Sequence, residues 1–300
     1  MKLTNTDLEL LSELAITIAK QAGAHIQSRV GNHSGVQTKD GGDTLASQVV
    51  TEVDHESQDL ILDALAGSIE QYQLGLLTEE SEDDSSRHEK DAFWCIDPID
   101  GTLPFTEGVP GYSVSIALVS REGTPLIGVV HDPITETTYH AHQAGGAFRN
   151  GTRIESAIST SSDQESPTLT WAQDRSMKQM PGYNKVAEAM EDLAKELGFD
   201  GLKIFDQYGS VLNACTVTEN APAVYFKFPK TAKGGGSVWD FAATACLFQE
   251  WGRPATDIFG AALELNPDGC TFMNQKAAVY ASSNELTEAV RRIYQLINHP

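Results

Sequence analysis

Two carboxylates, Asp97 and Asp100, stand where an apolar run of the chain meets a turn. Ala92-Phe93-Trp94-Cys95-Ile96 is rich in strand-favouring residues and predicts a buried strand with Asp97 at its tip. Pro98 has no backbone N–H and is expected to stop the ladder there, while Gly101 can take the bend that follows. A helix or half-turn opening at Thr102 would leave the N–H groups of Gly101 and Thr102 free beside both acids, a ready anion site. Acids hold cations and bare N–H groups hold phosphate oxygens, so the stretch describes a place where a cation and a phosphate meet. An Asp-x-x-Asp spacing alone is ordinary turn composition, so the rest of the chain has to decide.

Other residues suited to chemistry lie at the ends of predicted elements. Glu79 follows Gly75-Leu76-Leu77-Thr78 and emerges directly from a core strand, unlike Glu82, Asp83 and Asp84, which read as a solvated acidic loop. Asp54 precedes the apolar stripe of Leu60, Ile61, Leu62 and Leu65, where it reads as a helix N-cap. Asp240 starts a helix through Phe241-Ala242-Ala243-Thr244-Ala245, and an N-cap role there is compatible with metal binding. Gly209-Ser210 opens a helix through Leu212 and Cys215 and offers a second anion site at a helix N-terminus. Lys230 to Ser237 is a basic, glycine-tipped loop, readable as a solvent loop or as a lid over a site.

The elements that must position these groups alternate. An amphipathic helix runs from Leu8 through Ile26, a second follows Asp54, and a meander of strands continues from Tyr112 to Gly151. A chain of 300 residues exceeds the usual size of one core. Ser, Thr, Asp and Glu dominate from Ile154 to Pro167, which predicts a junction between domains 1–155 and 156–300. The net charge of −21 opposes a polyanionic partner, so no nucleic acid polymer and no anionic membrane surface is expected. No apolar run approaches the length of a membrane span. Cys95, Cys215, Cys246 and Cys270 form no C-x-x-C pair, and the N-terminus lacks a secretion signal; both point to buried thiols and a cytoplasmic address.

The central stretch extends to W-x-x-D-P-I-D-G-T-x-x-F-x-x-x-x-P, from Trp94 through Phe105 to Pro110, and resembles the first signature of the inositol monophosphatase family. Val238-Trp239-Asp240-Phe241-Ala242-Ala243 resembles the second, W-D-x-A-A. Thr78-Glu79-Glu80-Ser81 is similar to the family's G-E-E-S, with Thr78 for Gly. Gly145 to Gly151 and Thr256-Asp257-Ile258-Phe259-Gly260 add weaker matches in the right order. The resemblance implies an α/β fold, the αβαβα sandwich of this family, and metal-dependent phosphomonoesterase activity. It places metal ligands at Glu79, Asp97, Asp100 and Asp240, with the Ile99 carbonyl as a further one, and pairs Asp54 with Thr102. It also suggests a homodimer and inhibition by Li⁺.

Four carboxylates on one pocket repel one another and raise their own pKa values unless cations are present. Oxygen donors without His or Cys select Mg²⁺, or Mn²⁺, over zinc, and two or three ions are expected. Glu79 and Thr102 would orient or deprotonate the attacking water, and the Gly101 and Thr102 N–H groups would hold phosphate oxygens. For the substrate, inositol-selective members resemble one another in a Glu six residues before the W-D tryptophan; here Lys233 stands there. Gly209-Ser210 resembles a segment of the 3′(2′),5′-bisphosphate nucleotidases, whereas Leu103-Pro104 departs from either branch. A doubly anionic small molecule such as 3′-phosphoadenosine 5′-phosphate is the expected ester, and an inositol or sugar monophosphate the alternative. A non-catalytic metal- or ligand-binding regulator is the rival from another class.

Overall fold

The computed structural model describes residues 3–31, 37–38, 49–155 and 167–298. Leu8, Leu11, Ala15, Ile18, Ala22 and Ile26 recur at helical spacing and are buried along one face of α1 (Asn5–Arg29). Val53, Ile61 and Leu65 do the same on α2 (Glu52–Tyr72). Both helices cover one face of a seven-stranded sheet. Its strands lie in chain order: β1 (Gly75–Thr78), β2 (Ala92–Asp100), β3 (Ser113–Ser120), β4 (Pro125–Asp132), β5 (Thr137–His142), β6 (Gly146–Arg149) and β7 (Thr152–Arg153). β1 and β2 are parallel and every later neighbour is antiparallel. β2 is buried along its whole length, as a strand covered on both faces must be.

A second sheet has the order β9 (Leu202–Phe205), β8 (Leu169–Ala172), β10 (Ala223–Phe226), β12 (Val279–Ala281), β11 (Ala255–Thr256). Its outer face carries α4 (Tyr183–Glu196) and α7 (Asn284–Asn298) around Trp171, Met190, Phe226 and Val290. Between the two sheets lie α5 (Ser210–Glu219) and α6 (Val238–Trp251). Their core joins Phe93, Cys95 and Ala117 of the first sheet to Ala172, Tyr225 and Tyr280 of the second. The layers are thus helices, sheet, helices, sheet, helices, the αβαβα sandwich expected. Of the expected junction from Ile154 to Pro167, residues 156–166 lie outside the described residues. α6 comes from the second half of the chain yet packs on strands β2 to β6 of the first, which carries Asp240 to the seven-stranded sheet.

Two local expectations need correction. β2 does not stop at Pro98; it continues to Asp100, with Asp97 opposite Ser115 and Asp100 opposite Ser113. The register shift between those pairs is a bulge, and a bulge accommodates a residue that cannot donate to the ladder. Three of the four thiols are buried, but Cys270 is exposed. No helix among the described residues is long and apolar enough to cross a membrane.

Candidate active site

The bulge in β2 aims Asp97 and Asp100 toward one point, and α6 brings Asp240 to it. One carboxylate oxygen from each of the three lies within 4.8 Å of the others. Asp97 Oδ1 accepts the Ile99 N–H at 3.0 Å, a local turn spanning the proline. Asp100 is fixed from a distance in sequence: Oδ1 accepts the Ser210 N–H at 3.1 Å and Oδ2 the Val211 N–H at 3.0 Å. The anion at the head of α5 is therefore the protein's own carboxylate. Of Gly209 and Ser210, expected to contact substrate, Ser210 gives its N–H to an acid of the cluster and Gly209 gives its own to the Gly111 carbonyl at 2.7 Å. A Cβ at Gly209 would run into the Asp100 carboxylate, which is why glycine stands there.

Asp240 and Asp54 do not cap their helices. Ser237 and Thr51 are the N-caps, and the two acids occupy the third helical position of reciprocal capping boxes. Asp240 Oδ2 accepts the Ser237 N–H at 2.6 Å. Asp54 Oδ2 accepts both the Thr51 N–H at 2.8 Å and the Thr51 hydroxyl at 2.6 Å. This leaves Asp54 Oδ1 for the Thr102 hydroxyl at 3.1 Å, with the Ile99 carbonyl 3.2 Å from the same hydroxyl. Asp54 and Thr102, far apart in the sequence, thus form one buried pair beside the cluster. Thr102 is the first residue of α3 (Thr102–Glu107).

Gly101 precedes it with φ +87°, and a Cβ there would lie 2.5 Å from the Gly111 carbonyl. Gly101→Ala is expected to lower stability by ~1–3 kcal/mol, read as a lower denaturation midpoint, because it meets both backbone strain and a carbonyl.

Charge dominates the site. Burial pushes the Asp97 carboxyl well above its ordinary range, helped by the charges of Glu79, Asp100 and Asp240. Burial and then Asp240 do the same to Asp100. Asp240 is raised to about 6, again chiefly by burial, with Lys227 opposing and Glu79 adding to the rise. Buried carboxyl groups that are costly to ionise beside one another are suited to a hard divalent ion. Asp97, Asp100 and Asp240 would hold it, and Glu79, expected with the Ile99 carbonyl as a further ligand, acts on Asp97 through its charge and a hydrogen bond.

Lys233 is exposed on the loop before α6. That loop is tied down by Asn274, whose Nδ2 donates to the carbonyls of Lys230 (3.0 Å) and Ala232 (2.8 Å). The lysine that reaches the site is Lys227, one residue past β10, whose ammonium meets Asp174 at 2.8 Å. Sequence reasoning passed over it, although alternation along the strand puts Lys227 on the same face as Tyr225, which also donates to Asp174 at 2.9 Å.

The family model described as the inositol monophosphatase family matches residues 7–297. A Nus factor SuhB of Vibrio cholerae is 30% identical over 249 residues, 82% of this chain and 85% of that protein. Inositol monophosphatase 2 of Rattus norvegicus is 27% identical over 290 residues, 96% of this chain and 90% of that protein. Among solved structures, an IMPase of Thermotoga maritima superposes with a TM-score of 0.71 at 24% identity, covering 95% of this chain and 98% of that one, a likeness of fold.

Proposed function

The chain belongs to the inositol monophosphatase family, whose members are metal-dependent phosphomonoesterases, and on that footing we propose that it hydrolyses a small polyhydroxylated monophosphate such as an inositol or sugar phosphate. The observation that carries this reading is the buried convergence of Asp97, Asp100 and Asp240 within 4.8 Å, beside the Asp54–Thr102 pair. Mg²⁺ is the natural ion for such a site and would supply positive charge to the phosphoryl and leaving oxygens. Two or three ions, with Mn²⁺ as a substitute, belong to the same proposal.

The remaining roles fall to the chain's own groups. Thr102 is held by Asp54 so that its hydroxyl oxygen orients the attacking water, and Glu79 receives that water's proton. The N–H groups of Gly101 and Thr102 hold phosphate oxygens in line for displacement, a contribution that is positional and electrostatic. The products are inorganic phosphate and the free alcohol. Thr102→Ala is expected to lower kcat by ~10–100-fold with little change in KM, since it removes an orienting group and leaves the acids in place.

The polyol monophosphate is preferred because Lys227 is engaged by Asp174 and Ser210, so the site presents a balanced pair. Hydroxyl groups suit such a pair better than a second phosphate does. The bisphosphate reading, with 3′-phosphoadenosine 5′-phosphate as the ester, keeps one supporting feature: Lys230 and Lys233 follow Lys227 on one short segment. A phosphate-release panel with inositol 1-phosphate, fructose 1,6-bisphosphate and 3′-phosphoadenosine 5′-phosphate separates the two. Preference for the inositol ester, with Lys233→Glu changing kcat/KM by less than ~2-fold as befits an exposed charge, supports the first reading. Preference for the nucleotide, lost in Lys233→Glu, supports the second. A homodimer, inhibition by Li⁺ and a cytoplasmic location complete the proposal; sedimentation, an activity titration and fractionation check them.

A further inference from the structure

Lys227 is joined to the heads of two helices, α5, whose N–H groups hold Asp100, and α6, which carries Asp240. Its side chain is 11% exposed and its ammonium lies 2.8 Å from Asp174 Oδ2. It donates to Ser210 Oγ at 2.8 Å and sits 5.2 Å from the centroid of the Phe241 ring. Ser210 heads α5 and its N–H holds Asp100; Phe241 follows Asp240 in the first turn of α6. Asp174 is itself anchored by the Tyr225 hydroxyl at 2.9 Å and by Asn213 Nδ2 at 3.2 Å, so the ammonium is fixed from behind. Burial alone would lower the pKa of this lysine, but the charges of Asp174, Asp240 and Asp100 outweigh it and the group stays cationic.

We propose that Lys227 is a positioning residue: a resident cation that holds the heads of α5 and α6, and through them Asp100 and Asp240, in their liganding arrangement when no divalent ion is bound. Divalent binding then meets a preformed site. The inference rests on the metal-binding part of the proposed function and adds a role that hydrolysis does not require. Its physical basis is substitution of charge. Without Lys227, the acids and Asp174 repel one another with no cation to offset them, until a divalent ion neutralises the cluster.

The test compares thermal melts of the full chain in EDTA and in saturating MgCl₂. Lys227→Met is expected to lose on the order of 5–10 °C in EDTA and about half of that or less in Mg²⁺, so the ion raises Tm more in the variant than in the wild type. Lys227→Arg, which keeps the charge, is expected to recover most of the loss in EDTA. An equal loss in both buffers would mark Lys227 as a packing residue only and overturn the proposal, as would no loss at all or a variant whose Tm ignores Mg²⁺. If Lys227→Met does not fold in either buffer, Asp174→Asn decides. It leaves the ammonium facing the cluster without its partner, so the Mg²⁺-induced rise should be smaller than in the wild type; an equal or larger rise overturns the proposal. These melts use no ester. A protein that passes them yet releases no phosphate refutes the hydrolase reading alone.

Discussion

Asp97→Asn is expected to cut phosphate release by ~10²–10³-fold or more at saturating Mg²⁺ while leaving the fold intact. Asp97 stands at the convergence of the cluster and is 2% exposed. Asn keeps its shape but removes the charge a divalent ion needs and the second carboxylate oxygen. The same change relieves repulsion, because burial and the charges of Glu79, Asp100 and Asp240 all disfavour ionised Asp97. The metal-free variant is therefore expected to melt higher than the metal-free wild type, and Mg²⁺ is expected to stabilise it less. Phosphate assays and melts with and without EDTA read both effects. A variant that is inactive and also less stable in EDTA would assign Asp97 a structural role instead.

The second large effect is on stability against pH. Asp240 has an ordinary pKa of 3.8 and a folded value of about 6. Asp97 and Asp100 shift the same way. A carboxyl whose pKa rises on folding binds its proton more tightly in the native state. Its stabilising contribution is therefore fully present below about pH 4 and lost as pH rises through about 6. For Asp240 alone that loss is ~3 kcal/mol. The metal-free protein should lose Tm steadily between about pH 4 and 7, and Mg²⁺ should restore it above that window but hardly at its lower end, where protons compete for the same oxygens. The net charge of −21 weakens the fold in the same direction. Asp240→Asn isolates the cluster: its EDTA curve should be flatter than that of the wild type. Parallel curves would show that the slope comes from the surface.

What could be read from sequence was local. Asp97, Asp100, Gly101 and Thr102 lie close together in the sequence, so residue types and spacing alone suggest acids beside a bend and an anion site. Asp54 and Asp240 are also legible as acids at helix starts, but each stands three residues after the cap and not at it. Thr51-Glu52-Val53-Asp54 and Ser237-Val238-Trp239-Asp240 both carry the capping-box spacing, and the hydroxyl residue, not the acid, is the cap. The acid at the third position bonds its cap residue with one oxygen.

Longer-range facts were not available in that way. A helix head attracts an anion, yet whether that anion is a substrate or Asp100 depends on where β2 and α5 meet in space. Counting back from Trp239 gives Lys233, an exposed residue of the loop, whereas Lys227 meets Asp174 and Ser210. Lys227 was accessible only through strand alternation from Tyr225. Pro98 gave the wrong strand end because a bulge, which its missing donor makes tolerable, looks in sequence like a terminus.

The most direct test of the central claim is inorganic phosphate release by the purified full chain from inositol 1-phosphate, measured in MgCl₂ and again after EDTA. Release that requires the ion and returns when Mg²⁺ is restored is the predicted result. Release unaffected by EDTA would contradict the role assigned to Asp97, Asp100 and Asp240. No release from this or any other small ester in the presence of Mg²⁺ would contradict the hydrolase itself and leave a metal-binding scaffold.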